Sequence, residues 1–165
     1  MPDLIFFLSN IFLLILLSAF FSGSETALTA VSEARIHELA LQGSKRAMII
    51  EKILAKKEKM ISTILIGNNL VNIVASVYAT SFAINFFGEF GLVFVTILLT
   101  IILVMFAEVI PKTYAFSHAD KTALTVAPVI NFFIFILTPA TFITENLAKI
   151  VSGPVVKDEE AKTEE

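Results

Sequence analysis

Four stretches of this chain contain no Asp, Glu, Lys or Arg, and they restrict its possible folds more than any other feature. They are residues 4–24, 60–88, 90–107 and 122–144, of 21, 29, 18 and 23 residues. A bilayer core about 30 Å thick is crossed by a helix of roughly 20 apolar residues. Each stretch is therefore a candidate membrane segment. Charged residues make up only 16% of the 165, against about 25% in soluble domains. That excludes an ordinary soluble domain. The absence of Cys excludes disulfide, iron–sulfur and thiolate-zinc chemistry. The twelve Lys and Arg form no basic-aromatic pattern, so a nucleic-acid partner is not expected.

The first stretch lacks the basic flank and good cleavage motif of a signal peptide, and reads as a retained helix. Orientation follows from Lys and Arg. The N-terminus has neither, whereas residues 32–59 carry Arg35, Lys45, Arg46, Lys52, Lys56, Lys57 and Lys59. The N-terminus is expected outside and this loop in the cytoplasm. The loop FGEFG at 87–91 has no basic residue and suits the outer face; Lys112 marks the return inside. In the fourth stretch Pro128 and Pro139 interrupt the pattern. A re-entrant or membrane-surface helix pair would keep both of its basic flanks inside.

The expected fold class is an all-α membrane protein. Three transmembrane helices (about 4–25, 60–86 and 90–113) are joined by cytoplasmic-side juxtamembrane or re-entrant helices at 120–149. Between the first two lies a cytoplasmic helical hairpin at 32–58. There Ile36, Leu39, Ala40, Ala47, Ile50 and Leu54 recur at helical spacing, Ser32 can cap the start and Gly43-Ser44 divides it. Its lysines 56, 57 and 59 fit contact with anionic headgroups. The polar, acidic segment 151–165 reads as a linker whose following domain is missing.

Polar residues inside such helices are costly and so point to function. Glu108 ends an uncharged run. One reading pairs it with Lys112 at the headgroups. The other starts from Pro111, whose missing N–H leaves the Ala107 carbonyl free in an α-helix. A carbonyl beside a carboxylate is a hard-oxygen pair suited to Mg²⁺ or Na⁺. Asn68 and Asn72, four apart, share a helix face that Ser76 extends; interhelical hydrogen bonding is the structural alternative. Ser18 and Ser22 share a face of the first helix, where back-bonding to the preceding turn is the alternative. Residues 22–25 (SGSE) match a capping box, which would break the helix at Gly23 and assign Ser24 and Glu25 to capping. All these stripes fall toward the cytoplasmic ends of their helices. Without Cys or His they show no transition-metal preference. His37 and His118 lie in polar flanks and read as solvated. No nucleophile–base pair or phosphate loop appears, so the chain does not read as an enzyme.

Three ordered motifs, SAFFSGSETAL at 18–28, IGNNLVN at 66–72 and AEVIPKT at 107–113, together resemble the DUF21 transmembrane domain of the CorC/CNNM (cyclin M) magnesium transporters. The resemblance covers about residues 5–150. It implies a homodimer in the plasma or inner membrane, with three membrane helices, a cytoplasmic-side helical belt and a cytoplasmic C-terminus. It implies Mg²⁺ efflux coupled to Na⁺ entry, and a following cytoplasmic CBS-pair domain, so residues 1–150 would be an excised membrane domain. It places the ion site on Ser18, Ser22, Asn68, Asn72 and Glu108 with the carbonyl of Ala107, where many relatives have Gly; Asn69 competes with Asn68 and Asn72. The transported ion would be Mg²⁺, with a Na⁺-only transporter or a non-transporting membrane anchor or sensor as the alternatives.

Overall fold

A computed structural model describes the backbone of residues 2–152, and side chains at 4–88, 91–139 and 141. Its elements are all helical. α1 (Pro2–Ala30) is followed by the short α2 (Glu33–Leu41) and α3 (Lys45–Leu54). Next come α4 (Lys57–Ile102), a π-helical segment (Leu103–Val109), α5 (Ile110–Ser117) and α6 (Ala119–Ser152). Of the segment 151–165, expected to be a linker, residues 151–152 end α6 and residues 153–165 lie outside the described residues.

α4 is two helices joined at one residue. Gly88 has φ 67° and ψ −165°, a region open essentially to glycine alone. Asn68 and Pro111 both meet α1 between residues 18 and 23. The arms before and after Gly88 therefore run side by side, and the chain reverses at this residue. The expected loop at 87–91 is thus a tight reversal.

Four helical stretches are long and apolar enough to cross a membrane: Leu4–Ala30, Lys57–Gly88, Gly91–Ser117 and Ala119–Pro139. Two expectations about breaks require correction. α1 runs unbroken through Gly23. Ser24 Oγ donates back to the Phe20 carbonyl at 2.6 Å, so residues 22–25 are helix interior and form no capping box. α6 is likewise one helix, with Pro128 and Pro139 inside it, rather than a broken pair. It begins where the Asp120 carboxylate accepts the Ser32 N–H at 3.1 Å, and its Phe133 ring packs on Phe21 with centroids 4.9 Å apart. α6 therefore runs antiparallel along the second half of α1.

The hairpin divides at Gly43-Ser44 as its sequence implies. Ser44 caps α3, accepting the Ala47 N–H at 3.4 Å. Ser32 occupies the N-cap of α2 without a side-chain cap bond; its backbone N–H is held by Asp120, which also pairs with Arg35 at 3.5 Å. His37 Nδ1 lies 2.7 Å from Glu51 Oε1 and joins α2 to α3, so it is partnered rather than simply solvated. Ile36, Ile50, Met60, Leu28, Ala123 and Ile130 are almost fully buried in one core. In that core the second half of α1 packs against α4 and α6, and the hairpin packs through α3 onto α6. The position of Ser18 and Ser22 is set from there.

Candidate cation site between three helices

The site begins with close packing of α1 on α4. A Cβ on Gly67 would lie 2.7 Å from the Phe21 ring, so glycine here makes room for that buried ring against α4. One turn further along each helix, polar groups meet. Ser18 is fully buried. Its Oγ stands 3.0 Å from Asn68 Oδ1 and 2.7 Å from Asn72 Oδ1. A hydroxyl has one hydrogen, so Ser18 shares it between two amide oxygens and keeps lone pairs free. The α4 side chains that meet Ser18 are Asn68 and Asn72, four residues apart on one face. Asn69 is exposed on another face. Ser76 does not extend the stripe: it is exposed, and its Oγ donates to the Asn72 carbonyl at 2.8 Å.

Ser22 lies one turn from Ser18, also fully buried. Its Oγ has no hydrogen-bond partner among the described residues. A buried hydroxyl left without a partner costs about 1–3 kcal/mol, a cost that Thr63 Oγ1 shares. Back-bonding, the structural alternative for the serines of α1, is what Ser24 does and Ser22 does not.

The third wall is the π-helical segment with α5. Gly23 faces Pro111, and a Cβ there would meet the proline Cβ and carbonyl at an ordinary 3.5 Å. This contact brings the AEVIPKT motif against the serine face of α1. Before Pro111 the helix widens: the Ile110 N–H bonds the Met105 carbonyl, five residues back. The α-register behind the Ala107 carbonyl argument therefore does not hold at this point. In the i→i−5 register, the acceptor opposite the missing N–H of Pro111 is Phe106. π-segments of this kind often occur at functional sites. Ala107 is fully buried. Glu108 is partly buried and makes no hydrogen bond or ion pair among the described residues. Lys112 Nζ pairs instead with Glu25 Oε2 at 3.6 Å. Glu25, read from sequence as a cap, is thus an ion-pair partner. Its spacing of seven from Ser18 and three from Ser22 was the signal that could have found it.

Ser18, Asn68 and Asn72 are brought into direct contact, while Ser22, Ala107 and Glu108 line the helices around them without a hydrogen bond to that group. Chemically the set is one carboxylate with neutral oxygens. Among the described residues, His, Cys, Asp and Glu nowhere gather in threes. Adjacent oxygens in an octahedral shell at about 2.1 Å stand about 3.0 Å apart. The Ser18–Asn68 and Ser18–Asn72 separations of 3.0 and 2.7 Å are hydrogen-bond distances, so a cation entering here would take the place of the serine proton between these oxygens.

The family described as the cyclin M transmembrane N-terminal domain matches residues 10–165. A UPF0053 protein of Haemophilus influenzae is 38% identical over 152 residues, covering 87% of this chain and 36% of its own length. The UPF0053 inner membrane protein YfjD of Escherichia coli is 38% identical over 107 residues, 65% of this chain and 25% of its own. A second Haemophilus influenzae protein, named polyamine export protein, is 24% identical over 150 residues, 83% of this chain and 35% of its own. The chain thus spans between a quarter and about a third of the length of these relatives.

Proposed function

The chain belongs to the CorC/CNNM family, as its cyclin M transmembrane domain, and on that premise we propose that it carries Mg²⁺ across the inner or plasma membrane by alternating access. In this reading Mg²⁺ is expelled in exchange for Na⁺ entering. The observation that carries it is the buried oxygen cluster of Ser18, Asn68 and Asn72, with the orphaned Ser22 hydroxyl beside it. Glu108 supplies the charge, and the serine and asparagine oxygens, with a carbonyl of the 106–107 turn, replace water. Mg²⁺ dehydrates reluctantly, so a second state must loosen the cage; Gly23, Gly67 and Pro111 are the pivots. The chain acts as a carrier and not as an enzyme.

The proposed assembly is a homodimer. Its N-terminus is outside, and its hairpin and C-terminus are in the cytoplasm, where a CBS-pair domain would follow in the full-length protein. Lys149 and Lys157 favour that side for the C-terminus. α6 is then a juxtamembrane helix and the chain crosses three times.

Glu108→Gln should abolish the rise in melting temperature that Mg²⁺ gives the purified chain. An equal rise in the variant would sink the site assignment. A second reading, export of an organic polycation, is favoured by the relative named for polyamine export. Spermidine in place of Mg²⁺ in the same assay separates the two, and Na⁺ competition separates Mg²⁺ from a Na⁺-only carrier.

A further inference from the structure

We propose that Lys112 is a positioning residue that moves between two carboxylates, resting on Glu25 while a cation occupies Glu108 and turning to Glu108 when the cation leaves. This rests on the cation-site reading above and adds to it a charge that competes with the cargo.

Three observations place the parts. Lys112 Nζ is 3.6 Å from Glu25 Oε2, and the two side chains are 46% and 36% exposed, so the ammonium is free to swing. Glu108 precedes Lys112 by four residues, the spacing at which helical side chains are neighbours, yet it has no ion-pair partner among the described residues. Glu25 follows Ser18 and Ser22 on one face of α1 at spacings of seven and three, which puts it one turn beyond Ser22 toward the cytoplasmic end. The Gly23–Pro111 contact holds the two backbones together. The exchange therefore needs only the lysine stem to move.

The electrostatics set the direction. A bound divalent cation beside Glu108 repels the ammonium and leaves it to Glu25. When the cation departs, a half-buried carboxylate is left to the positive charge one helical turn along, Lys112. The arrangement in the structure, with Lys112 on Glu25, is the one that this proposal assigns to the occupied site. The lysine thereby neutralises the emptied site and helps expel the cargo, at a cost in affinity that Glu25 moderates.

The test is Mg²⁺ titration calorimetry on the purified chain. Glu25→Gln leaves Lys112 with Glu108 alone and should raise the dissociation constant about 2- to 5-fold, the range of a partly exposed ion pair. Lys112→Met should lower it, and the double variant should bind no more weakly than the unmodified chain. Lys112→Arg keeps the charge and should behave as the parent. If Lys112→Met weakens binding as Glu25→Gln does, or if neither changes it, the pair is only a structural bridge and the proposal fails. A Glu108→Gln variant that binds Mg²⁺ normally would overturn the site reading itself, so the two failures are distinguishable.

Discussion

A buried serine that meets two amide oxygens can act as glue between helices or as part of a binding site, and the two roles carry different costs on removal. Interhelical hydrogen bonds in membranes average about 0.6 kcal/mol. Ser18→Ala should therefore lower the thermal stability of the chain only slightly. Loss of a ligand or of its orienting partner typically costs 10- to 100-fold in metal affinity. The same variant should therefore weaken Mg²⁺ binding by about tenfold or more in calorimetry. A large fall in stability with unchanged binding would assign Ser18 to packing. Gly67 makes the complementary case. A methyl group there collides with the Phe21 ring at 2.7 Å. Gly67→Ala should cost about 1–3 kcal/mol, read as a lowered melting temperature, and should weaken ion binding by forcing Asn68 and Asn72 away from Ser18.

At the scale of elements, the reversal at Gly88 determines whether the second wall of the site can face the third. Its backbone angles suit glycine alone, so Gly88→Ala should destabilise the chain by about 1–3 kcal/mol in thermal unfolding. Charge-free length was enough to locate the apolar helices, though α1 continues to Ala30, and Gly43-Ser44 marked the division of the hairpin. Helical spacing was enough to put Asn68 and Asn72 together. Local rules failed where tertiary contacts decide. Gly23 and the sequence SGSE look like a helix start, but α1 is packed on both sides there and continues. Pro128 and Pro139 look like breaks, but α6 is supported along α1 by Asp120 and Phe133. The π-segment before Pro111 left no mark in residue order, because it is the packing of that turn that absorbs the proline. The Glu25–Lys112 pair was hidden for a similar reason: Glu25 matched a cap, and Lys112 matched a local partner for Glu108.

Across the whole molecule, charged side chains gather in the hairpin and at the helix ends, while the long helices present a largely apolar exterior. Phe6, Phe12, Phe94, Phe106 and Phe135 are all exposed, which suits lipid contact or a second copy of the chain. α6 makes the topology testable. A cysteine introduced at position 157 should react with a membrane-impermeant maleimide only from the cytoplasmic side; labelling from outside would make α6 a fourth crossing. The account as a whole depends on the Ser18, Ser22, Asn68, Asn72 and Glu108 cluster carrying its ion through the bilayer. Flux into liposomes containing the purified chain and a Mg²⁺-sensitive dye tests this most directly, with and without a Na⁺ gradient. The account predicts Mg²⁺ movement that the gradient accelerates and that Glu108→Gln abolishes. No movement through the parent chain, or equal movement through the variant, would contradict it.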